Sequence, residues 1–387
     1  MSMVAWKPAG PISSAEFQIV DPERISDIQH KHRLVTEFLE SRRFDALLLQ
    51  KASNFAWFSS GGDCSRGGNT ESTASIFITP DARVVVTTSS DSAQLFDREL
   101  QGLGFQLKER PWHEPRAALI DDLCRGRRVA SDTGVGQTHN ISSELTSLRI
   151  PLATVECRRA REVGAAVAHA IEATCRNCHL GQTEADLAGE VAHRLIRHRV
   201  VPERIQISSD GRSQAYPHWS YSDEQFQRCV SISAVGRKYG LCIGASRTVS
   251  FGQVPSEVLD AHRRTMLIQA TGMFFTQPEW AMFEIWNRIQ RIYEKFGVEE
   301  QWRNMEQAEI IGYDVTEVPL VPRSEFHIAP RMAMHWHPSV GPAISGDTIL
   351  VKEDGNELLT PFEGWPRLKV EVKGTVIYRP EILQREV

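Results

Sequence analysis

Two histidines, His335 and His337, stand either side of Trp336 in the run Met334-His335-Trp336-His337. In an extended strand side chains alternate between faces, so both imidazoles point to one side. Imidazole ligates transition metals and also moves protons near neutral pH. With His218 the pair could build a site for a single metal ion. Histidines satisfied by hydrogen bonds are commoner than ligands, and the chain shows no closed Cys or His framework of the zinc type. Cys175-Arg176-Asn177-Cys178-His179 matches the Cys-x-x-Cys-His pattern of haem attachment. The two cysteines also continue the stripe Val163, Val167, Ile171, which has the spacing of one helical face. That stripe predicts buried helical thiols rather than haem. Cys242 lies in a strand-like run, and nothing beside it in the sequence marks it as an activated thiol, so core packing is expected.

These residues must be held by a folded scaffold. The chain has 387 residues, 41% hydrophobic and 24% charged, which fits a globular protein of two domains. Lys and Arg total 44 against 49 Asp and Glu, a net charge of −5 without a basic patch, so nucleic acid is not an expected partner. No apolar run approaches a membrane span, and the first residues lack a charged stretch followed by an apolar one. A cytoplasmic chain with its seven cysteines reduced is expected. Residues 1–26 read as an irregular lead-in, 27–157 as an α/β domain, and 158–387 as a second domain. In the latter, helices over about 159–179 and from Thr183 precede two strand-like pieces between Cys229 and Phe251. A helical stretch over 256–296 is broken near Gln277-Pro278, and strand pairs close the chain.

Four landmarks carry a family resemblance. Gly181-Gln182-Thr183-Glu184, the run Gly240 to Gly252 with Ser246-Arg247-Thr248, Val315-Thr316-Glu317-Val318-Pro319, and Thr348-Ile349-Leu350-Val351 occur in that order. The second half resembles the pita-bread fold of methionine aminopeptidase, prolidase, aminopeptidase P and creatinase. The first half resembles the N-terminal domain of the last three. The resemblance implies an α/β N-terminal domain before an α+β pita-bread domain.

Hydrolases of that superfamily usually hold two divalent metals with two Asp, one His and two Glu. The resemblance puts these ligands at Ser233, Gly244, Glu309, His337 and Gly346. Glycine offers no side-chain donor and serine is a poor one, so no metal and no cofactor are expected. Creatinase implies a metal-free alternative. Tyr216-Pro217-His218-Trp219 resembles its Pro-His stretch, which makes His218 the expected general acid–base. Glu309, Glu317 and His337 would shape the charge around it. Asp63-Cys64-Ser65-Arg66 resembles a stretch whose arginine grips a substrate carboxylate across a homodimer, which assigns that task to Arg66. Trp219 and His335 are expected at the substrate wall, with Arg247 supporting the strand. The expected function is metal-independent hydrolysis of a small C–N bond substrate. The alternatives are a non-catalytic binding protein of this fold and a metal-dependent Xaa-Pro aminopeptidase or prolidase.

Overall fold

The computed structural model describes residues 21–67 and 71–386. The expected lead-in over 1–26 therefore lies mostly outside the described residues. Its last part is not irregular, because a helix begins at Pro22 and runs to Arg42. Asp21 caps it, accepting from the Glu23 and Arg24 amides at 3.0 and 3.3 Å, and proline at the first helical position sacrifices no hydrogen bond.

The first domain is a six-stranded mixed sheet. Its strands are β1 (Ala46–Leu49), β2 (Ser75–Ile78), β3 (Arg83–Thr88), β4 (Gln106–Arg110), β5 (Val129–Ser131) and β6 (His139–Asn140), in the order β4-β3-β2-β1-β5-β6. β1 is buried along its length, as its unbroken Ala-Leu-Leu-Leu run requires of a central strand covered on both faces. β1 pairs parallel with β5 and antiparallel with β2.

The Thr154–Asn177 helix carries the chain into the second domain, so the expected junction at 157–158 falls inside a helix. Val163, Val167, Ile171 and Cys175 on its stripe are fully buried, as is Cys178 just beyond its end. Thr183 and Asp186 then form a reciprocal capping box that starts the Glu184–Arg197 helix. Both helices pack on a four-stranded sheet of β7 (Val201–Ser209), β8 (Cys229–Lys238), β9 (Leu241–Phe251) and the C-terminal strand Leu383–Arg385 beside β9. A second sheet follows, built from β10 (Ala308–Ile311), β11 (Val318–Pro319), β12 (Ala333–Trp336), and two further strands, Asp347–Lys352 and Gly355–Leu358. The helices Ser256–Phe275 and Met282–Lys295 share a core with this sheet, and the segment around Gln277-Pro278 separates them as the sequence predicts. The two sheets meet where Ser246 of β9 bridges Gly346, the residue before the Asp347–Lys352 strand.

The two domains are latched by buried polar contacts. Arg149 of the first domain reaches Glu317 through Nε at 3.0 and 3.1 Å, and also bonds Asp314 and Asn54. Lys31 sits between Asp27 at 2.6 Å and Glu156 at 2.5 Å, and Glu156 also accepts from the Tyr313 hydroxyl. Charges removed from water are tolerated there because each meets an opposite charge.

Candidate active site at the junction of two sheets

Directly opposed residues on neighbouring strands share a face. Gln206 of β7 opposes Ser233 of β8, Ser233 opposes Ser246 of β9, and Ser246 bridges Gly346. One step along, Arg204 opposes Val235, which opposes Gly244. From the second sheet Glu309 opposes His335. The His335 and His337 rings stack with centroids 5.0 Å apart and planes at 23°, on one side as alternation predicts. The intervening Trp336 is buried in the core on the helix side and donates from its indole to Thr276 at 3.2 Å.

The side chains around this junction enclose a small cavity. Its free volume is about 20 Å³, lined by Arg204, Gln206, His218, Ser246, His335 and His337 among others. That is room for about one water molecule. His337 Nε2 donates to Glu309 Oε2, while His337 Nδ1 and Glu309 Oε1 are buried without a protein partner. Ser246 Oγ and Ser345 Oγ are likewise buried and unpartnered. Burial would raise the Glu309 carboxyl, but the facing His337 ring, with His335 and Arg204, holds it below its ordinary range. His335 shares a hydrogen bond of 3.1 Å with Thr348 Oγ1, and burial drives its ring down to about 3. It is therefore a neutral imidazole at physiological pH.

His335 also explains a glycine. A Cβ placed on Gly244 would lie 2.7 Å from Cε1 and 2.8 Å from Nε2 of that ring. The space an acidic side chain would need at 244 is filled by imidazole. At Gly346 a Cβ would come within 3.0 Å of Ser246 Oγ.

The sequence-predicted residues fall into two groups. His218, Glu309, His335 and His337 come together: His218 stands at the cavity mouth, over half exposed, with Nε2 3.3 Å from Glu306. The others do not join them. Glu317, expected to act beside the histidines, is instead the interdomain partner of Arg149. Burial pushes its carboxyl up even against that guanidinium. Trp219, expected at the substrate wall, donates its indole N–H to Glu184 at 3.0 Å and does not line the cavity. Arg66, expected to hold a carboxylate, is exposed and bound to Asp91 at 2.9 Å. Arg247 is buried and bonds Glu172 at 3.1 Å and Asp347 at 2.9 Å, behind the site. Arg204, Gln206, Ser345 and Glu306 were not singled out from sequence. Alternation along β7 puts Arg204 and Gln206 on one face, which is the signal that could have found the first two.

A family comparison completes the identification. The model for metallopeptidase family M24 matches residues 158–358, more than half of the chain. The chain belongs to metallopeptidase family M24. A probable dipeptidase PepE of Mycobacterium tuberculosis is 24% identical over 221 residues, 54% of this chain and 58% of that protein. The match thus spans little over half the length of that relative. Among solved structures, dipeptidase PepE from Mycobacterium ulcerans superposes with a TM-score of 0.75 at 16% identity, covering 94% of this chain and 99% of that one. Prolidase from Pyrococcus furiosus gives 0.73 at 16% identity, covering 84% and 99%. The pita-bread architecture with its N-terminal domain is therefore that of M24 proteins.

Membership of M24 implies a metal centre, and the residues present do not fit one. Of the positions that the resemblance assigns to ligands, Gly244 and Gly346 carry no donor, and the room for one at 244 is occupied by His335. Among the described residues no group of three or more His, Cys, Asp or Glu is arranged to hold an ion. That includes the single-metal combination of His218, His335 and His337.

Proposed function

We propose that this M24 chain hydrolyses a C–N bond of a small substrate by general acid–base chemistry, without a metal pair. The observation that carries this reading is the Glu309–His337 pair, standing at two former ligand positions with His337 Nδ1 unpartnered beside the cavity. A carboxylate that accepts from Nε2 places the proton there and leaves the Nδ1 lone pair free. Nδ1 can then take a proton from the water for which the cavity has room, and Glu309 stabilises the imidazolium that forms. His218, at the mouth, can return a proton to the departing nitrogen. The substrate's reacting end enters on the side of His218, which lines the cavity and is over half exposed.

A second reading is favoured by the cavity's volume of about 20 Å³, which admits water and not a substrate-sized group. It makes the chain a binding protein that retained the fold. Screening amidino acids, cyclic ureides and Xaa-Pro dipeptides in the presence of a chelator separates the two. The hydrolytic reading expects turnover that survives chelation and falls by about 10²–10⁴-fold in His337→Gln, the size of a lost general base. Turnover that requires added metal, or that His337→Gln leaves intact, contradicts it.

A further inference from the structure

M24 enzymes surround two cations with acids, and this chain has reversed the character of that place. None of the described residues lining the cavity is Asp or Glu. The lining instead holds the Arg204 guanidinium, the Gln206 amide, three imidazoles and the hydroxyls of Ser233, Ser246 and Ser345. The Arg204 side chain has no hydrogen-bond or ion-pair partner among the described residues, although it sits half-buried, and its charge reaches Glu309 only at longer range. Ser246 and Ser345 are each only 4% exposed, and both hydroxyls lack partners. Burying a hydroxyl unpaired costs about 1–3 kcal/mol, so such donors are usually matched by something. Two acids touch the lining imidazoles: Glu309 at His337, and Glu306 at His218.

We propose that the cavity accepts the carboxylate of a small ligand, with Arg204 as its charge partner and Gln206, Ser246 and Ser345 as neutral donors. A guanidinium offers two parallel N–H groups that match the two oxygens of a carboxylate. The confined space favours that flat group over a tetrahedral oxyanion. Arg204 thus takes the role that the sequence assigned to Arg66. The carboxylate takes the space that the hydrolytic reading gives to water, so the proposal is of a binding site and does not rest on that reading.

The test is a titration of the full chain followed by thermal unfolding and calorimetry, with acetate as probe, acetamide as its neutral isostere, and inorganic phosphate as the tetrahedral comparison. Acetate is expected to raise Tm saturably, and acetamide to leave it unchanged. Arg204→Gln is expected to weaken acetate at least tenfold, with Arg204→Lys intermediate. Equal effects of acetate and acetamide, tighter binding of phosphate than of acetate, or full acetate affinity in a folded Arg204→Gln would each overturn the proposal. Turnover is not read in this titration. A negative hydrolysis screen therefore leaves the site standing, and a failed titration leaves the Glu309–His337 base standing.

Discussion

Gly244 and His335 are one device seen from two sides. The ring can lie over β9 only because position 244 has no side chain, and the glycine excludes a ligand only while the ring stays. Restoring the acid by Gly244→Asp should therefore destabilise the fold by about 1–3 kcal/mol through overpacking, without creating metal affinity. Denaturant melts with and without manganese check both halves; a variant of unchanged stability that binds the ion contradicts the geometry. His335 also has a pH consequence. Its folded value is near 3, whereas an unfolded histidine titrates near 6.5, so between those limits the unfolded chain holds the extra proton. Stability then rises with pH across that window, by at most about 1.4 kcal/mol per unit, and is complete above it. Glu309, held low, adds its loss only at the acid end, as pH falls through its folded value. His335→Gln should flatten the stability curve between about pH 5 and 6.5. An unaltered slope in urea melts over that range would show that His335 is not buried neutral.

The strands place the chemistry and the domain latch holds them in register. β10 carries Glu309 to His335, and the chain leads on to Val318 past Glu317, which Arg149 grips from the first domain. Arg149 is 4% exposed. Arg149→Ala should cost about 3–5 kcal/mol, because it leaves the buried Glu317 carboxylate with only the Tyr313 and Asp314 amides and no opposite charge. A loss below about 1 kcal/mol in chemical denaturation would show that the latch is not structural. Much of this was legible in the sequence. Thr183 marked a helix start and proline at 278 a break, because local signals decide such features. Glu317 was misplaced because its neighbourhood depends on Arg149, far away in sequence. No local pattern reports a pairing of that range.

Across the molecule, the fold and the chemistry separate. The landmarks that revealed the family are positions of backbone geometry and packing, and they survive: the capped helix at Thr183, the buried Arg247 behind β9, the strand from Asp347. The positions that the resemblance assigns to ligands include Gly244 and Gly346, and glycine cannot coordinate. What replaced them was not readable. The Glu309–His337 bond, the ring over Gly244 and the free Arg204 all depend on how two sheets meet. The direct check is elemental analysis of protein purified from cells supplied with manganese, cobalt and zinc. A metal-free acid–base site predicts well under one equivalent of any of them, with activity unchanged on chelation. Two tightly held equivalents, lost together with activity on chelation, would return this chain to the ordinary metallopeptidases of its family.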